Sequence, residues 1–598
     1  MLRIAVIQFR PRKGAIAENL ARLGRIFETL AGDDLPPPDL VVLPEACLTG
    51  YFLEGGVREL ARSADQLFHD LAAVHTRSGA PPFDLILGFY ELWQTRLYNS
   101  ALAVRLGGPD AGIRHVHRKI FLPTYGVFDE ERFVEPGLRV EAFDLGLGRT
   151  AAIVCEDAWH SLVPTIAALR GAKLIAIPSA SPARGLAEDE CGTGRPGSME
   201  RWERVVRSIA GEHGVYVVLA QLVGFEGGKG FPGGSLVVGP SGEVLARGAV
   251  FEEDVLRIEV DLGEIDRARA DAPLLSDLEM RLPHLVEALD GVSSHATVAP
   301  PSPPPLRPHP APVLAPQAVR IGEQAGRDPL AIDPELARRW LVAFIRDEVQ
   351  RRRGFTHAVI GLSGGVDSAL VTFLAAEALG PEHVTAICMP YRTSSPESLA
   401  HARLVVEATG VGTEVVDISD AVDGLAGRLP EAPDATRLGN IMARLRMVTL
   451  FDRSAAHSAL PLGTGNKTER LFGYFTWHAD DAPPVNPIGD LFKTQVWSLA
   501  RHLGVPAVIV DKPATADLVV GQTDEADIGI TYPRADRILH WLLSGHAPES
   551  IVALGFEEAE VKLVRHRLDS THWKRRLPTV AMVSSTAIGE YYLRPVDY

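Results

Sequence analysis

Cysteine is scarce in this chain. Cys47, Cys155, Cys191 and Cys388 are the only four in 598 residues, too few for a disulfide framework and not at metal-ligand spacing. A reducing, cytoplasmic setting is therefore expected. Long apolar runs are missing too. None approaches the roughly 18–20 residues of a membrane span, so no membrane association is expected. The opening stretch, Met1 to Phe9, has too short an apolar segment for a signal peptide and reads as a first strand. Nor is there an excess of positive charge: 60 basic residues stand against 76 acidic ones, a formal net charge of -16. That balance argues against a nucleic-acid phosphate surface as the main partner. No internal repeat is visible. One hydrophobic core does not serve a chain this long, so two or more domains are expected.

What the chain does have is a dense string, Gly361-Leu362-Ser363-Gly364-Gly365-Val366-Asp367-Ser368. The β-branched run Ala358-Val359-Ile360 before it predicts a buried strand, and the Ala/Leu-rich run Ala369 to Leu379 after it predicts a helix. A strand, a Gly/Ser turn and a helix N-terminus together form a phosphate cradle. Glycines let backbone N–H groups approach an anion, serine hydroxyls donate, and the helix dipole adds partial positive charge. Asp367 beside phosphate makes sense mainly with a divalent cation between them. No Gly-Lys-Ser/Thr follows the glycines, so this is not the Walker pattern. The string resembles the pyrophosphatase loop of the ATP-splitting amidotransferases, in which ATP is cleaved to AMP and pyrophosphate.

Short β-type runs recur through the first 285 residues: 4–9, 40–43, 85–90, 151–154, 174–177, 215–219, 235–238 and 255–260. Helical patterns at 16–30 and 200–212 lie between some of them, which predicts an α/β domain over residues 1–285 with a substantial sheet. Gly239-Pro240-Ser241-Gly242 predicts a hairpin turn. Nine of the seventeen residues from Pro300 to Pro316 are proline, so residues 286–325 read as an extended linker. A second α/β unit, residues 326–598, begins with an amphipathic helix from Pro334 to Arg353. Its strand candidates (357–360, 384–389, 414–418 and a run near Leu460) alternate with helices, the layout of a doubly wound parallel sheet.

Three segments of the first domain belong together chemically. Glu45 ends the run Val41-Val42-Leu43-Pro44, Lys119 follows Val116-His117-Arg118, and Cys155 ends the strand Ala152-Ile153-Val154 before an acidic elbow. A strand-end cysteine becomes a nucleophile when a base takes its proton and a cation stabilises the charge that develops. Glu45 is the candidate base and Lys119 the candidate cation. In this order they resemble the Glu-Lys-Cys triad of the nitrilase superfamily, over roughly residues 1–265. Pro178-Ser179-Ala180-Ser181-Pro182 and Phe231-Pro232-Gly233-Gly234-Ser235 continue the likeness. The resemblance implies an αββα nitrilase-like sandwich that hydrolyses amide or nitrile bonds through a thioester. It also implies Tyr125, Ser179 and Ser181 as glutamine contacts. Glu156 is a further candidate to orient substrate, whereas Cys47 and Cys191 lack these flanks and read as inert.

The second domain carries more dense strings: Asn440 to Met447, Leu462 to Glu469, Gly473 to Thr476, Asn486 to Thr494, Lys512 to Leu518 and Gly521 to Tyr532. Behind the Ser363–Ser368 loop this set resembles the NAD synthetase family, over about residues 330–580. With the nitrilase-like domain in front, the resemblance is to the family's glutamine-dependent branch. It implies an adenine nucleotide α-hydrolase-like sheet and ATP contacts from Gly361, Leu362, Ser363, Gly364, Gly365, Val366, Asp367, Ser368, Thr464, Lys493 and Thr515. It further implies Mg2+ on Asp367 and Glu469, deamido-NAD contacts from Asn440, Arg444 and Lys574, and a homo-oligomer built on synthetase-domain dimers. Two departures stand out. Where stand-alone synthetases carry a lysine and an aspartate, this chain has Trp477 and Pro484, and its C-terminal string reads His572-Trp573-Lys574-Arg575. Asp480, Asp481 and Trp477 are the candidates to replace the missing contacts.

The expected chemistry is ATP-dependent amidation of deamido-NAD with ammonia released from glutamine. Two other readings stay open from sequence: a nitrilase-type amidohydrolase with a regulatory ATP-binding domain, and another ATP-dependent glutamine amidotransferase.

Overall fold

A computed structural model describes residues 1–32, 35–53, 56–146, 148–186, 194–294, 328–515 and 523–575. The proline-rich stretch, Cys191, Asp517, Leu518 and Gly521 lie outside them. Among the described residues no helix is long and apolar enough to cross a membrane.

Two six-stranded sheets form the first domain. One contains β1 (Leu2–Gln8), β2 (Leu40–Val42), β3 (Phe83–Trp93), β4 (Arg96–Leu106) and β5 (Gly112–Arg118). The other contains β6 (Phe143–Leu145), β7 (Gly148–Ala152), β8 (Leu174–Ser179) and β9 (Tyr216–Gln221). A hairpin of β10 (Val223–Glu226) and β11 (Lys229–Pro232) follows, then β12 (Leu236–Val238), β13 (Val244–Arg247) and β14 (Asp254–Val260). The orders are β14-β1-β2-β3-β4-β5 and β13-β12-β9-β8-β7-β6, with parallel pairing in the middle of each sheet and antiparallel pairing at the flanks. The period of two in side-chain direction sorts these runs into layers. Ile4, Val6, Leu40 and Val42 face the second sheet, against Ile153, Ile175 and Val217. Ala5, Ile7, Val41 and Leu43 face outward against the helices Ile16–Gly32 and Ala64–Ser78. The helix Gly197–His213 covers the second sheet through Trp202, Val206 and Ile209. Helix, sheet, sheet, helix is the αββα sandwich that was expected.

The helix Leu274–Ser294 runs past residue 285, so the linker anticipated from 286 begins inside a helix. Strands β4, β5, β6, β10, β11 and β13 have no counterpart among the sequence candidates. Several of them are edge or hairpin strands with mixed polar faces, which give little periodic signal. The Gly239–Gly242 turn does join β12 to β13, through a bond from Gly242 N to Gly239 O (2.9 Å).

In the second unit, β15 (His357–Gly361), β16 (Val384–Cys388), β17 (Gly412–Val415) and β18 (Ala459–Leu462) form a wholly parallel sheet in the order β17-β16-β15-β18. Ala358 and Ile360 face the helices Pro334–Arg346, Val366–Leu379, Pro396–Thr409 and Lys493–His502, while Val359 faces the helix Ala435–Ala456. Helices on both faces make this the doubly wound sheet. Its order reverses between β15 and β18, and a crevice at such a switch point, beyond the strands' carboxyl ends, is where ligands bind. β17 starts two residues earlier than expected because Thr385–Cys388 pairs with Gly412–Val415. The expected helix to Arg353 is α-helical only as far as Arg346. The next turn, Asp347–Arg352, is a π-turn.

That π-turn meets the first domain. Arg352 donates to Phe225 O (3.3 Å), Arg10 Nη1 lies 4.0 Å from Asp347, and Phe344 packs edge-on against Phe225 at 5.7 Å.

Candidate active sites

At the first site the three expected residues converge from the ends of β2, β5 and β7. Pro44 turns the chain after β2, and Glu45 is fully buried. Its backbone passes so close to β3 that a Cβ at position 88 would stand 2.4 Å from Glu45 Cα, so only glycine fits there. Lys119 is also fully buried. Its Nζ lies 2.9 Å from Glu45 Oε1 and 2.8 Å from Glu130 Oε2. Cys155 sits on a tight elbow with φ +43°, left-handed backbone that a non-glycine residue rarely adopts. Ser179 donates to Cys155 Sγ at 3.4 Å, and Ala180 N donates to Glu45 Oε2 at 2.8 Å.

Three members, Asn99, Glu130 and Asp157, were not anticipated. Asn99 Nδ2 donates to Glu45 Oε1 (2.7 Å) and Glu130 Oε1 (2.8 Å), tying the two acids together around the lysine. A further acid, Asp157, holds the elbow. Its Oδ1 accepts from Ile120 N (2.9 Å) and Phe121 N (3.0 Å), and its Oδ2 accepts from Val154 N (3.2 Å) and faces His117 Nε2 at 2.8 Å. Glu130 lies downstream of Lys119, and its inward turn comes from the short helix Glu130–Arg132. Nothing periodic marks it.

The electrostatics suit a thiol kept neutral until substrate arrives. Burial, reinforced by Glu45, pushes Cys155 well above the usual thiol value despite the opposing Lys119. Burial works against charge on Lys119, but Glu130 and Glu45 overcome it and keep the ammonium firmly protonated. Burial also raises Glu130, against the pull of Lys119. Tyr125, at the exposed mouth, donates to both oxygens of Glu156 (2.9 Å). Ser181 lines a small neighbouring cavity with Trp202 and Gln221 rather than meeting the thiol. Cys47 is buried, with its sulfur 3.7 Å from Gly88 O, and burial raises its thiol far above the ordinary range.

The second site is a cavity of about 430 Å³ at the switch point. Its walls include the whole stretch Gly361–Ser368, Thr464, Glu469, Lys493, Thr515 and Asp524. Gly364 has φ +80°, and a Cβ there would lie 2.1 Å from Ser398 O. Ser363 and Ser368 brace the turn: their hydroxyls are 3.1 Å apart and Ser368 donates to Gly365 O at 3.0 Å. The helix Val366–Leu379 then aims its N-terminus into the cavity.

Asp367 and Glu469 meet across the crevice. Asn466 caps the helix Lys467–Phe472 and donates to Asp367 Oδ1 (3.0 Å), while Lys493 Nζ lies 2.5 Å from Asp367 Oδ2 and 3.3 Å from Glu469 Oε1. Burial raises Glu469 to about 8 against the pull of Lys493. Among the described residues no three His, Cys, Asp or Glu side chains form a metal cluster. A magnesium ion needs fewer, because one or two carboxylates with substrate phosphates and waters suffice. Two carboxylate oxygens converging on one point beside the cradle fit that ion.

The residues anticipated at the dinucleotide end are placed differently. Asn440, Arg444 and Lys574 do not line the cavity; Arg446, Asp480 and Asp481 do. The first three hold the loop at 473–477 instead. Asn440 accepts from Thr476 Oγ1 (3.0 Å), Arg444 donates to Trp477 O (3.3 Å), and Lys574 donates to Gly473 O (2.8 Å) and Phe475 O (3.0 Å). Trp477 packs edge-on against Trp573 at 5.2 Å. Arg444 and Arg446 sit two apart on one helix and so face different ways, as their spacing predicts; which of them reaches the cavity is set by the rotation of the helix.

A thiol site for carbon–nitrogen hydrolysis joined to an ATP-loop cavity defines the class of glutamine-using, ATP-dependent ligases. The sequence matches the families described as Carbon-nitrogen hydrolase over residues 3–270 and NAD synthase over residues 338–578. It is 30% identical over 620 aligned positions to the glutamine-dependent NAD(+) synthetase of Thermotoga maritima, covering 100% of this chain and 98% of that one. The NH(3)-dependent NAD(+) synthetase of Trichlorobacter lovleyi is 52% identical over 260 residues, 43% of this chain and 94% of that protein. In fold, the chain is similar to glutamine-dependent NAD+ synthetase from Acinetobacter baumannii, solved with ADP, at a TM-score of 0.70, 22% identity and coverage of 100% and 98%. The chain belongs to the glutamine-dependent NAD(+) synthetase family.

Proposed function

We propose that Cys155 releases ammonia from glutamine and that the Gly361–Ser368 cavity uses it to convert deamido-NAD to NAD, with ATP cleaved to AMP and pyrophosphate. The observation that carries the reading is the pairing, in one chain, of a buried Glu45–Lys119–Cys155 cluster with a phosphate cradle. Glu45 takes the Cys155 proton as sulfur attacks the glutamine amide carbon. Lys119 balances the charge on the oxyanion, and Glu45 passes the proton to the departing nitrogen so that it leaves as ammonia. Water, activated by Glu45, then discharges the glutamyl thioester as glutamate and restores the thiol. Tyr125 and Glu156, hydrogen-bonded to each other on the exposed side, would receive the amino-acid end of glutamine. In the cavity, Ser363 to Ser368, Thr464, Lys493 and Thr515 hold ATP. The nicotinate carboxylate attacks the α-phosphorus, pyrophosphate departs, and ammonia then displaces AMP from the mixed anhydride. Mg2+, held by Asp367 and Glu469, would neutralise phosphate charge. Arg446, Asp480 and Asp481 line the same cavity and would meet the second nucleotide. Residues 1–285 would form the glutaminase unit and 326–598 the synthetase unit, working as a homo-oligomer in the cytoplasm.

Relatives that cover only 43–44% of this chain, among them those of Trichlorobacter lovleyi and Chlorobaculum tepidum, are NH(3)-dependent NAD(+) synthetases, which supports assigning glutamine use to the first half. The test is Cys155→Ala. Glutamine-driven NAD formation falls at least 1,000-fold, while ammonium-driven formation stays within about twofold. Loss of both activities in a folded protein would overturn the division of labour.

A further inference from the structure

We propose that Lys493 is the resident counter-ion of the cation position at the phosphate cradle, so that a divalent cation binds tightly only after phosphate draws the lysine away. This rests on the reading of the cavity as an ATP site. Lys493 opens the helix Lys493–His502, where a positive side chain opposes the helix dipole. Its side chain is 2% exposed and bends onto the two acids from opposite walls.

The bonding leaves the acids little else to offer. Asp367 Oδ1 accepts from Asn466 Nδ2 (3.0 Å) and Glu469 Oε2 from Asn466 N (3.3 Å), so each carboxylate has one oxygen left to face the shared point. Both of those oxygens meet Lys493 Nζ. A magnesium or manganese ion bound to them would stand about 2 Å from each oxygen, in the space the ammonium fills. Two cations cannot share that position at low dielectric. A polyphosphate seated on the Ser363–Ser368 turn offers the ammonium another anion within the same cavity, since Lys493 lines it too. Cation and nucleotide then bind cooperatively, because each removes an obstacle to the other.

The experiment measures Mn2+ binding to the full-length protein by the loss of its free electron-spin resonance signal. Wild type without nucleotide binds Mn2+ weakly, and adding the α,β-methylene analogue of ATP tightens binding at least tenfold. Lys493→Met binds one Mn2+ at least tenfold tighter than wild type with no nucleotide present, and adding Asp367→Asn abolishes the gain. Lys493→Gln serves in its place if the methionine variant does not fold. Equal Mn2+ affinity in wild type and the folded Lys493 variant, without nucleotide, overturns the proposal. Should wild type fail to bind the analogue while the variant still gains Mn2+, the counter-ion role stands and the ATP reading of the cavity falls.

Discussion

A thiol buried beside a carboxylate resists ionisation, and Cys155 carries that burden in its resting state. Its raised value means less thiolate at any given pH than a free cysteine near 8.5 would have. Alkylation by iodoacetamide should therefore keep climbing above pH 9, about tenfold per unit, with no plateau at neutral pH; stopped-rate labelling followed by mass spectrometry measures it. A plateau near pH 7 would mean a standing thiolate–lysine pair and would remove Glu45 as the base. Glu45 and Cys155 were readable because each ends an apolar strand, and Lys119 because the three in this order resemble the nitrilase Glu-Lys-Cys triad; the polar strand before Lys119 gave no signal of its own. Asn99 and Glu130 were not readable. Their roles arise from a cross-strand neighbour and a short loop helix, which leave no mark in spacing.

At the next scale the deciding element is the elbow Cys155–Trp159. Its strained residue stays in place because Asp157, fully buried, fastens it to Ile120 and Phe121, the two residues after Lys119. Hydrogen bonds to a buried carboxylate contribute about 1.5–3 kcal/mol each. Asp157→Ala should thus cost glutamine hydrolysis about 100-fold or more, the equivalent of about 3 kcal/mol in the barrier. Ammonium-driven NAD synthesis should be unchanged in the same preparation, and paired assays of the two activities decide the matter. A parallel fall in both would make Asp157 a general stabiliser of the chain. The elbow's acids were visible beforehand, yet which one faces inward depends on backbone turns that sequence spacing does not determine.

Across the whole molecule, the join between domains runs through charged groups. Burial holds the Asp347 carboxyl up at about 6, with Arg10 of the first domain pulling the other way. Between about pH 4 and 6 the folded chain keeps a proton there that the unfolded chain has released. Stability therefore falls as pH rises through that window, by up to about 3 kcal/mol. Asp347→Asn should raise the thermal midpoint over wild type at pH 8, and the advantage should fade towards pH 4. A difference that does not change with pH would show that Asp347 is not a buried charge in solution.

The sequence alone determined the two α/β units, the three strand-end residues of the thiol site and the phosphate turn. The units and the turn are local facts, apolar runs of strand length beside a Gly/Ser string; the three thiol-site residues were joined by their order along the chain and its resemblance to the nitrilase triad. Tertiary structure alone decided that Glu130 and Asn99 join Lys119, that Arg446 rather than Arg444 reaches the cavity, and that Lys493 lies between Asp367 and Glu469. Those outcomes depend on which elements pack together and on the rotation of each helix, and both follow from burying apolar faces that are far apart in the chain.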